Sequence, residues 1–268
     1  MKARIFNSRW FPEDGSSRLK FVDDEPESRR FYLEQRPPAL RRLLKARYGW
    51  CAAQLEGRVD VLEVGARHGL VREFIDLPGL KLANLVKHPW IDFESGLFGE
   101  GIPDGSFDAI LCVHAMHHTA HPPKFFSEMR RILRPGGLLL IHDLQTTPLI
   151  RTVLTLMRHR GWSDDVDVFD PGAVCNRPED PDSENLALAD LLFADHSRFE
   201  SNVPGWKITS HDYCECLSFL TSGGVNSRTH SLRLPEFAYP VIEAVDRFLI
   251  ALLPSLFALS QRVVLQRD

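Results

Sequence analysis

Residues 61–69 read Val61-Leu62-Glu63-Val64-Gly65-Ala66-Arg67-His68-Gly69. A short apolar run that stops at an acid and a glycine-containing turn is the pattern of a buried strand entering a ligand-binding crevice. The strand is expected over Val59 to Val64. Upstream, Pro37-Pro38 opens a helix over Ala39 to Leu55, with Leu40, Leu43, Leu44, Tyr48 and Cys51 at helical spacing and Gly57 closing it. Downstream come a helical stretch from Leu70 to Ile75, a strand from Leu80 to Val86 and an apolar strand from Phe107 to Val113. A helix over Phe125 to Leu133, a Pro135-Gly136-Gly137 turn and a strand over Leu138 to Ile141 follow. Strands alternating with helices imply βαβ units. The fold class is α/β: a Rossmann-like, doubly wound, mostly parallel sheet with helices on both faces.

Outward from that core, residues 1–36 read as an N-terminal helical arm and residues 37–148 as the Rossmann-like domain. Residues 149–235 read as an insertion or lid, and residues 236–268 as a helix and edge strand completing the core. The insertion holds a basic helix from Leu149 to His159, an acidic segment over 163–184, a helical stretch from Glu184 to Ala194 and a strand from Trp206 to Ser210. A Ser222-Gly223-Gly224 turn leads to a helix over Glu236 to Leu253, then a last strand, Arg262 to Gln266, at the sheet edge.

The chain has 268 residues, 44% hydrophobic and 25% charged, with a formal charge of −4. That balance disfavours a nucleic-acid partner. Five cysteines without a CxxC pair suggest neither a zinc knuckle nor a disulfide framework, and so a cytoplasmic protein. The start lacks a signal-peptide pattern, and the apolar stretch Phe248 to Leu259 is broken by Pro254 and too short to span a bilayer. Core packing is the first expectation for the tail helix, ahead of a homodimer face or a weak membrane-surface contact.

Two further strings carry the chemistry. Ile102-Pro103-Asp104-Gly105-Ser106-Phe107-Asp108-Ala109-Ile110-Leu111-Cys112 leads to His117-His118, and Arg131-Ile132-Leu133-Arg134-Pro135-Gly136-Gly137 leads into the fourth strand. This ordered set resembles the class I S-adenosylmethionine-dependent methyltransferases of type 11, the branch acting on small molecules, quinones and glycans. The likeness spans residues 59–145. It implies S-adenosylmethionine as cofactor and S-adenosylhomocysteine as product, bound by Glu63, Gly65, Ala66, Arg67 and Gly69, with Val113 and His114 beside the sulfonium.

The same resemblance exposes departures. Arg67 stands where the family's turn usually holds a glycine. Aligned without gaps, Val86 and Gly96 stand where acids usually meet the ribose and the adenine. Each lost charged contact costs about 1.5–3 kcal/mol. Lys87 and His88 as donors, and Asp92 and Glu94 as acceptors, are the neighbouring replacements, with Asp92 taken into the cofactor set.

Methyl transfer to oxygen gains from a base. His114 and His142, at the ends of the third and fourth strands, are the first candidates for a base or acceptor clamp, with His118 beside them. The spacing His114-x-x-His117-His118-x-x-His121 also suits a metal, but Pro122-Pro123 cuts the helix short and no acid lies within the cluster, so no metal is expected. Asp143, Arg151, Arg158, His159 and Arg160 form a basic lip, or pair with the acidic segment. The implied acceptor is a sugar, nucleotide-sugar or other small polar metabolite, an anionic sugar derivative included, in polysaccharide biosynthesis. The alternative is a methyltransferase-fold protein that has lost methyl transfer and acts as a scaffold, a regulator or a non-methylating enzyme.

Overall fold

The computed structural model describes residues 25–156, 162–176, 183–223 and 232–268. Expectations for most of the N-terminal arm, for Arg158, His159 and Arg160, and for Gly224 lie outside the described residues.

Seven strands form one sheet in the order β3-β2-β1-β4-β5-β7-β6. They are β1 (Val61–Val64), β2 (Leu80–Asn84), β3 (Phe93–Glu94), β4 (Phe107–Val113), β5 (Leu133–Leu144), β6 (Trp206–Cys214) and β7 (Ser260–Arg267). β3, β2, β1, β4 and β5 run parallel, while β7 is antiparallel to both β5 and β6. The last strand therefore lies between β5 and β6, and β6 rather than β7 takes the edge. The cause is in the sequence of β7: Val263 and Val264 are buried on opposite faces, as an interior strand requires.

Period-two alternation divides the core. On one face, Leu40, Leu44 and Cys51 of α2 (Pro38–Ala53) pack on Val61, Leu82, Leu111, Leu140 and Val264. On the other, Phe125, Phe126, Met129 and Ile132 of α3 (Pro122–Ile132) pack on Leu62, Ile110, Leu139 and Val263. Pro122 and Pro123 occupy the first turn of α3, where a missing N–H is harmless. α2 starts in the same way, with Pro38 at its first turn.

The link from β1 to β2 differs from expectation. The stretch from Leu70 is a single 3-10 turn, Leu70–Glu73, and α1 (Glu25–Gln35) covers that flank instead. Tyr32 of α1 is buried, Arg36 pairs with Glu73, and the Arg29 guanidinium lies over the Trp90 ring. The second strand is also shorter than expected: it ends at Asn84, and Leu85 and Val86 are exposed.

After β5 come α4 (Pro148–Leu156), α5 (Leu188–Phe193) and α6 (His196–Asn202). Between β6 and β7 lie α7 (Leu217–Ser222), α8 (Ala238–Leu252) and α9 (Pro254–Phe257). α8 is not the core helix its composition suggested. Val241, Phe248 and Leu252 are more than half exposed, whereas its inward side carries Tyr239 and Asp246. Asp246 explains the orientation: its carboxylate accepts from the N–H groups of Cys216, Leu217 and Ser218 and so caps α7. Among the described residues no helix is long and apolar enough to cross a membrane.

Candidate active site

The crevice opens at the carboxyl ends of β1, β2 and β4. Gly65, Arg67 and Gly69 all have positive φ, of 66°, 34° and 59°. At Gly69 glycine is required by close approach as well, since a Cβ there would lie 2.5 Å from the Trp90 ring. The Ala66 N–H donates to Ala83 O and ties the turn to β2. Arg67, in the family's glycine position, meets Glu25 Oε1 with its Nε at 3.0 Å.

Glu25, from the first turn of α1, gathers the crevice's polar groups. Its Oε2 accepts from Asn84 Nδ2 at 3.1 Å and lies 2.9 Å from His88 Nε2. Asn84, not Val86, is thus the polar residue ending β2, and a carboxylate stands beside it. A second carboxylate stands at Gly96, where a Cβ would lie 3.4 Å from Glu100 Oε2. Asp92 is engaged elsewhere, since its Oδ2 accepts from Leu82 N and Arg72 Nη2 and holds β2 to the following loop. Glu63 faces α2, where Tyr48 Oη donates to Oε1 at 2.9 Å and Oε2 is buried without a partner. Burial pushes the Glu63 carboxyl up to about 8.

Beyond the crevice lie two histidine–carboxylate pairs, one on each side of the β4–β5 ends. His117 Nδ1 meets Asp143 Oδ1 at 2.6 Å, and Asp143 is fully buried and also accepts the Leu144 N–H. Burial opposes charge on His117, but Asp143 outweighs it and raises the imidazole above its ordinary value. Asp143 is held well below the carboxylate range by the same contact, against its burial. His118 gives Nδ1 to Ser183 O, and burial lowers it to about 4. His117 and His118, with Glu184, bring ligand-type atoms within 4.8 Å of one another.

The second pair is His142 and Glu215, with Nε2 to Oε1 at 3.1 Å. Here Arg47 grips both oxygens of Glu215, each at 2.7 Å, and Ser260 Oγ donates to Oε2. Burial would raise the Glu215 carboxyl, but Arg47 and His142 hold it well below the ordinary value. With Glu215 so compensated, burial prevails at His142 and lowers its pKa. The Nδ1 atom of His142 is buried with no partner. His114, at φ 51°, donates its N–H to His142 O, and the two rings lie 5.1 Å apart. Its Nε2 is also unpartnered, and burial first, then Arg47, lowers its pKa well below the ordinary value. Ligand-type atoms of His114, His142 and Glu215 also cluster within 4.8 Å, but the Arg47 guanidinium places a cation on that group.

His142 lines a cavity of about 220 Å³ walled by α2, α7, α8 and the ends of β6 and β7. The basic lip does not form within the described residues. Asp143 is fully buried, and Arg151 pairs with Asp164 of the acidic segment.

Sequence reasoning thus misses Glu25, Asn84, Arg47 and Glu215. Only Asn84 has a readable signal, as the last polar residue before the exposed Leu85-Val86.

Sheet order, the antiparallel seventh strand and the turn at the end of β1 define a Rossmann-like methyltransferase fold. Residues 77–141 match the family model described as a methyltransferase domain. Over that stretch the chain is similar to a methyltransferase domain. Among curated relatives it is similar to phthiotriol/phenolphthiotriol dimycocerosates methyltransferase 1 of Mycobacterium ulcerans, 39% identical over 109 residues, which are 34% of this chain and 40% of that one. It is also 22% identical over 157 residues to the highly reducing polyketide synthase aurA of Calcarisporium arbuscula, covering 58% of this chain and 6% of the synthase. The chain thus spans less than half the length of these relatives. A solved S-adenosylmethionine-dependent methyltransferase from Archaeoglobus fulgidus superposes with a TM-score of 0.48 at 16% identity, over 89% of this chain and 99% of that one.

Proposed function

We propose that the chain is an S-adenosylmethionine-dependent methyltransferase that methylates a hydroxyl of a small molecule, with His142 as general base. One observation carries the catalytic part: His142 lies buried at the end of β5 with Nε2 on Glu215 and Nδ1 unpartnered at a cavity wall. If Nε2–H donates to Glu215, Nδ1 keeps its lone pair, and burial holds the ring neutral near pH 7. Glu215 orients the ring and Arg47 holds Glu215, so both are positioning residues. His114 packs against His142 on the crevice side, and His118 serves as a polar group at the acceptor edge.

The cofactor, when bound, supplies an electrophilic methyl group on a sulfonium. The residues at the crevice fit it. Glu63 Oε2 is buried without a partner, and an ammonium group brought beside it would restore the carboxylate that burial disfavours. Gly65, Ala66, Arg67 and Gly69 form the turn, with Val113 and His114 across from it. Glu25, Asn84 and His88 gather polar atoms at the end of β2, in place of the acid that strand lacks.

Named relatives favour a polyketide- or lipid-derived hydroxyl over the sugar, nucleotide-sugar or polysaccharide acceptor expected from sequence. The cavity also lies below the roughly 300–1,000 Å³ of drug-sized sites, which suits a small reacting end rather than a nucleotide-sugar. A cytoplasmic homodimer, with the exposed stripe of α8 as its face, completes the proposal.

One observation favours the second reading, a fold that no longer methylates. At Gly65, on the crevice floor, a Cβ would meet Ala115 at 2.7 Å and Leu97 at 3.1 Å, so the chain's own side chains crowd the turn. Calorimetric titration with S-adenosylmethionine and S-adenosylhomocysteine separates the two. Micromolar binding, weakened in Glu63→Gln, is expected. No binding of either at millimolar ligand, by protein shown to be folded, overturns the methyltransferase reading.

A further inference from the structure

The cavity beside His142 has an unbalanced charge. Its three carboxylates are all engaged from within the protein. Glu215 is gripped by Arg47, Glu243 pairs with Arg42, and Asp246 caps α7. Two of the four lining guanidiniums are thereby matched. Arg247 sits exposed at the rim. Arg262, on β7, is different. Among the described residues it forms no ion pair, its Nε is buried with no hydrogen-bond partner, and its guanidinium lies 5.4 Å from the Trp50 ring centroid. A partly desolvated cation without a counter-charge is unfavourable, and an unsatisfied buried donor calls for an acceptor. His142 Nδ1 is the second unpartnered buried atom on the same wall. Leu43 and Ile242 supply apolar surface beside these groups.

We infer that this cavity binds the carboxylate of a small organic acid on Arg262, with the rest of the molecule against His142 and the apolar wall. A carboxylate fits better than a cation because every negative group in the cavity already has a partner. It matches a planar guanidinium fork in geometry as well as charge. The cavity volume admits a short aliphatic or single-ring acid. That this acid is the methyl acceptor rests on the methyltransferase reading; the anion site itself rests on the cavity alone.

The test is an equilibrium titration of the full chain with benzoate and with its neutral amide, benzamide. Wild-type protein is expected to bind benzoate saturably, about tenfold or more tighter than benzamide. Arg262→Gln should lose that preference, and Arg262→Lys should retain only part of it, since an ammonium keeps the charge but not the planar fork. Equal binding of the two probes by wild type, no saturable binding of benzoate, or a preference that survives Arg262→Gln would overturn the inference. If Arg262→Gln proves misfolded, the wild-type benzoate-to-benzamide ratio decides alone. S-adenosylhomocysteine, titrated separately, tells the two proposals apart. Its binding without benzoate binding removes the anion site and leaves the methyltransferase reading standing; the reverse result does the opposite. Where both bind, benzoate affinity that rises with S-adenosylhomocysteine marks the acceptor itself, and unchanged affinity marks a separate small acid at the same site.

Discussion

His117–Asp143 and His142–Glu215 are the same chemical pair on opposite sides of one strand end, yet they are charged differently. Both histidines are buried, and both meet a buried carboxylate within 3.1 Å. Burial opposes charge on His117, but among the described residues no guanidinium pairs with Asp143, and its charge outweighs that burial. At His142 burial outweighs the pull of Glu215, whose two oxygens Arg47 also holds, and the nearby guanidinium adds to the bias towards the neutral ring. The balance between burial and the paired carboxylate sets the direction, and Arg47 weighs on one pair only. One strand end thus holds an imidazole biased towards its charged form beside one biased towards its neutral form.

Removing Arg47 should break the contrast most forcefully. Arg47→Ala leaves Glu215 buried and uncompensated, a change expected to destabilise by about 3–5 kcal/mol in chemical denaturation. In the protein that still folds, His142 should titrate higher than in wild type, because Glu215 then acts on it alone. A small stability change with an unmoved His142 would mean that Arg47 does not set the difference. In activity, His142→Gln should lower kcat by about 10²–10⁴-fold while S-adenosylhomocysteine affinity stays within about twofold. Equal losses in kcat and affinity would assign His142 to the fold instead.

Asp143→Asn probes the other pair, with an expected loss of about 1.5–3 kcal/mol near pH 6. The sign follows from the shifts. His117 is raised, so its stabilisation is complete below about pH 6.5 and disappears as pH rises through the folded-state value. Asp143 is lowered, so its stabilisation is present above about pH 3.9 and disappears in stronger acid. His142 is lowered, so the fold instead loses stability as pH falls below about 6.5, where only the unfolded ring takes up a proton. Between about pH 4.5 and 8, stability curves should therefore flatten above pH 6.5 in Asp143→Asn and below pH 6.5 in His142→Gln, with Asp143→Asn also losing the dependence below about pH 3.9. The same flattening in both variants would contradict the assignment. Least affected should be Asp246→Ala, which removes the cap of α7 and shifts the urea midpoint by the equivalent of about 1–2 kcal/mol. Because α7 carries Phe219 against His114, that variant should also alter the His114 environment.

The strand–turn string from Val61 to Gly69 and the two motifs around β4 and α3 suffice to read a doubly wound sheet, because strand burial and helix spacing are local properties. The interior place of β7 is not legible, because it depends on β6, whose polar, half-exposed pattern shows little of its pairing. The shortness of the turn after β1 is hidden for a similar reason: α1, distant in sequence, covers that flank. His142 and His114 are legible as strand-end residues. The residues that share the cavity with His142, namely Arg47, Glu215 and Arg262, are not, since no spacing links one helix residue, a residue between two cysteines and a residue on the last strand. Glu25 is hidden at the end of an acidic run that reads only as part of an arm or cap, with no signal of what it covers.

Histidine-selective NMR titration of the folded chain, with resonances assigned through His117→Gln and His142→Gln, tests the contrast most directly. His117 should titrate above the ordinary value near 6.5 and His142 below it, so that at neutral pH His117 is the more protonated of the two. Both rings titrating together near 6.5, or His142 above His117, would contradict the account and remove His142 as the base.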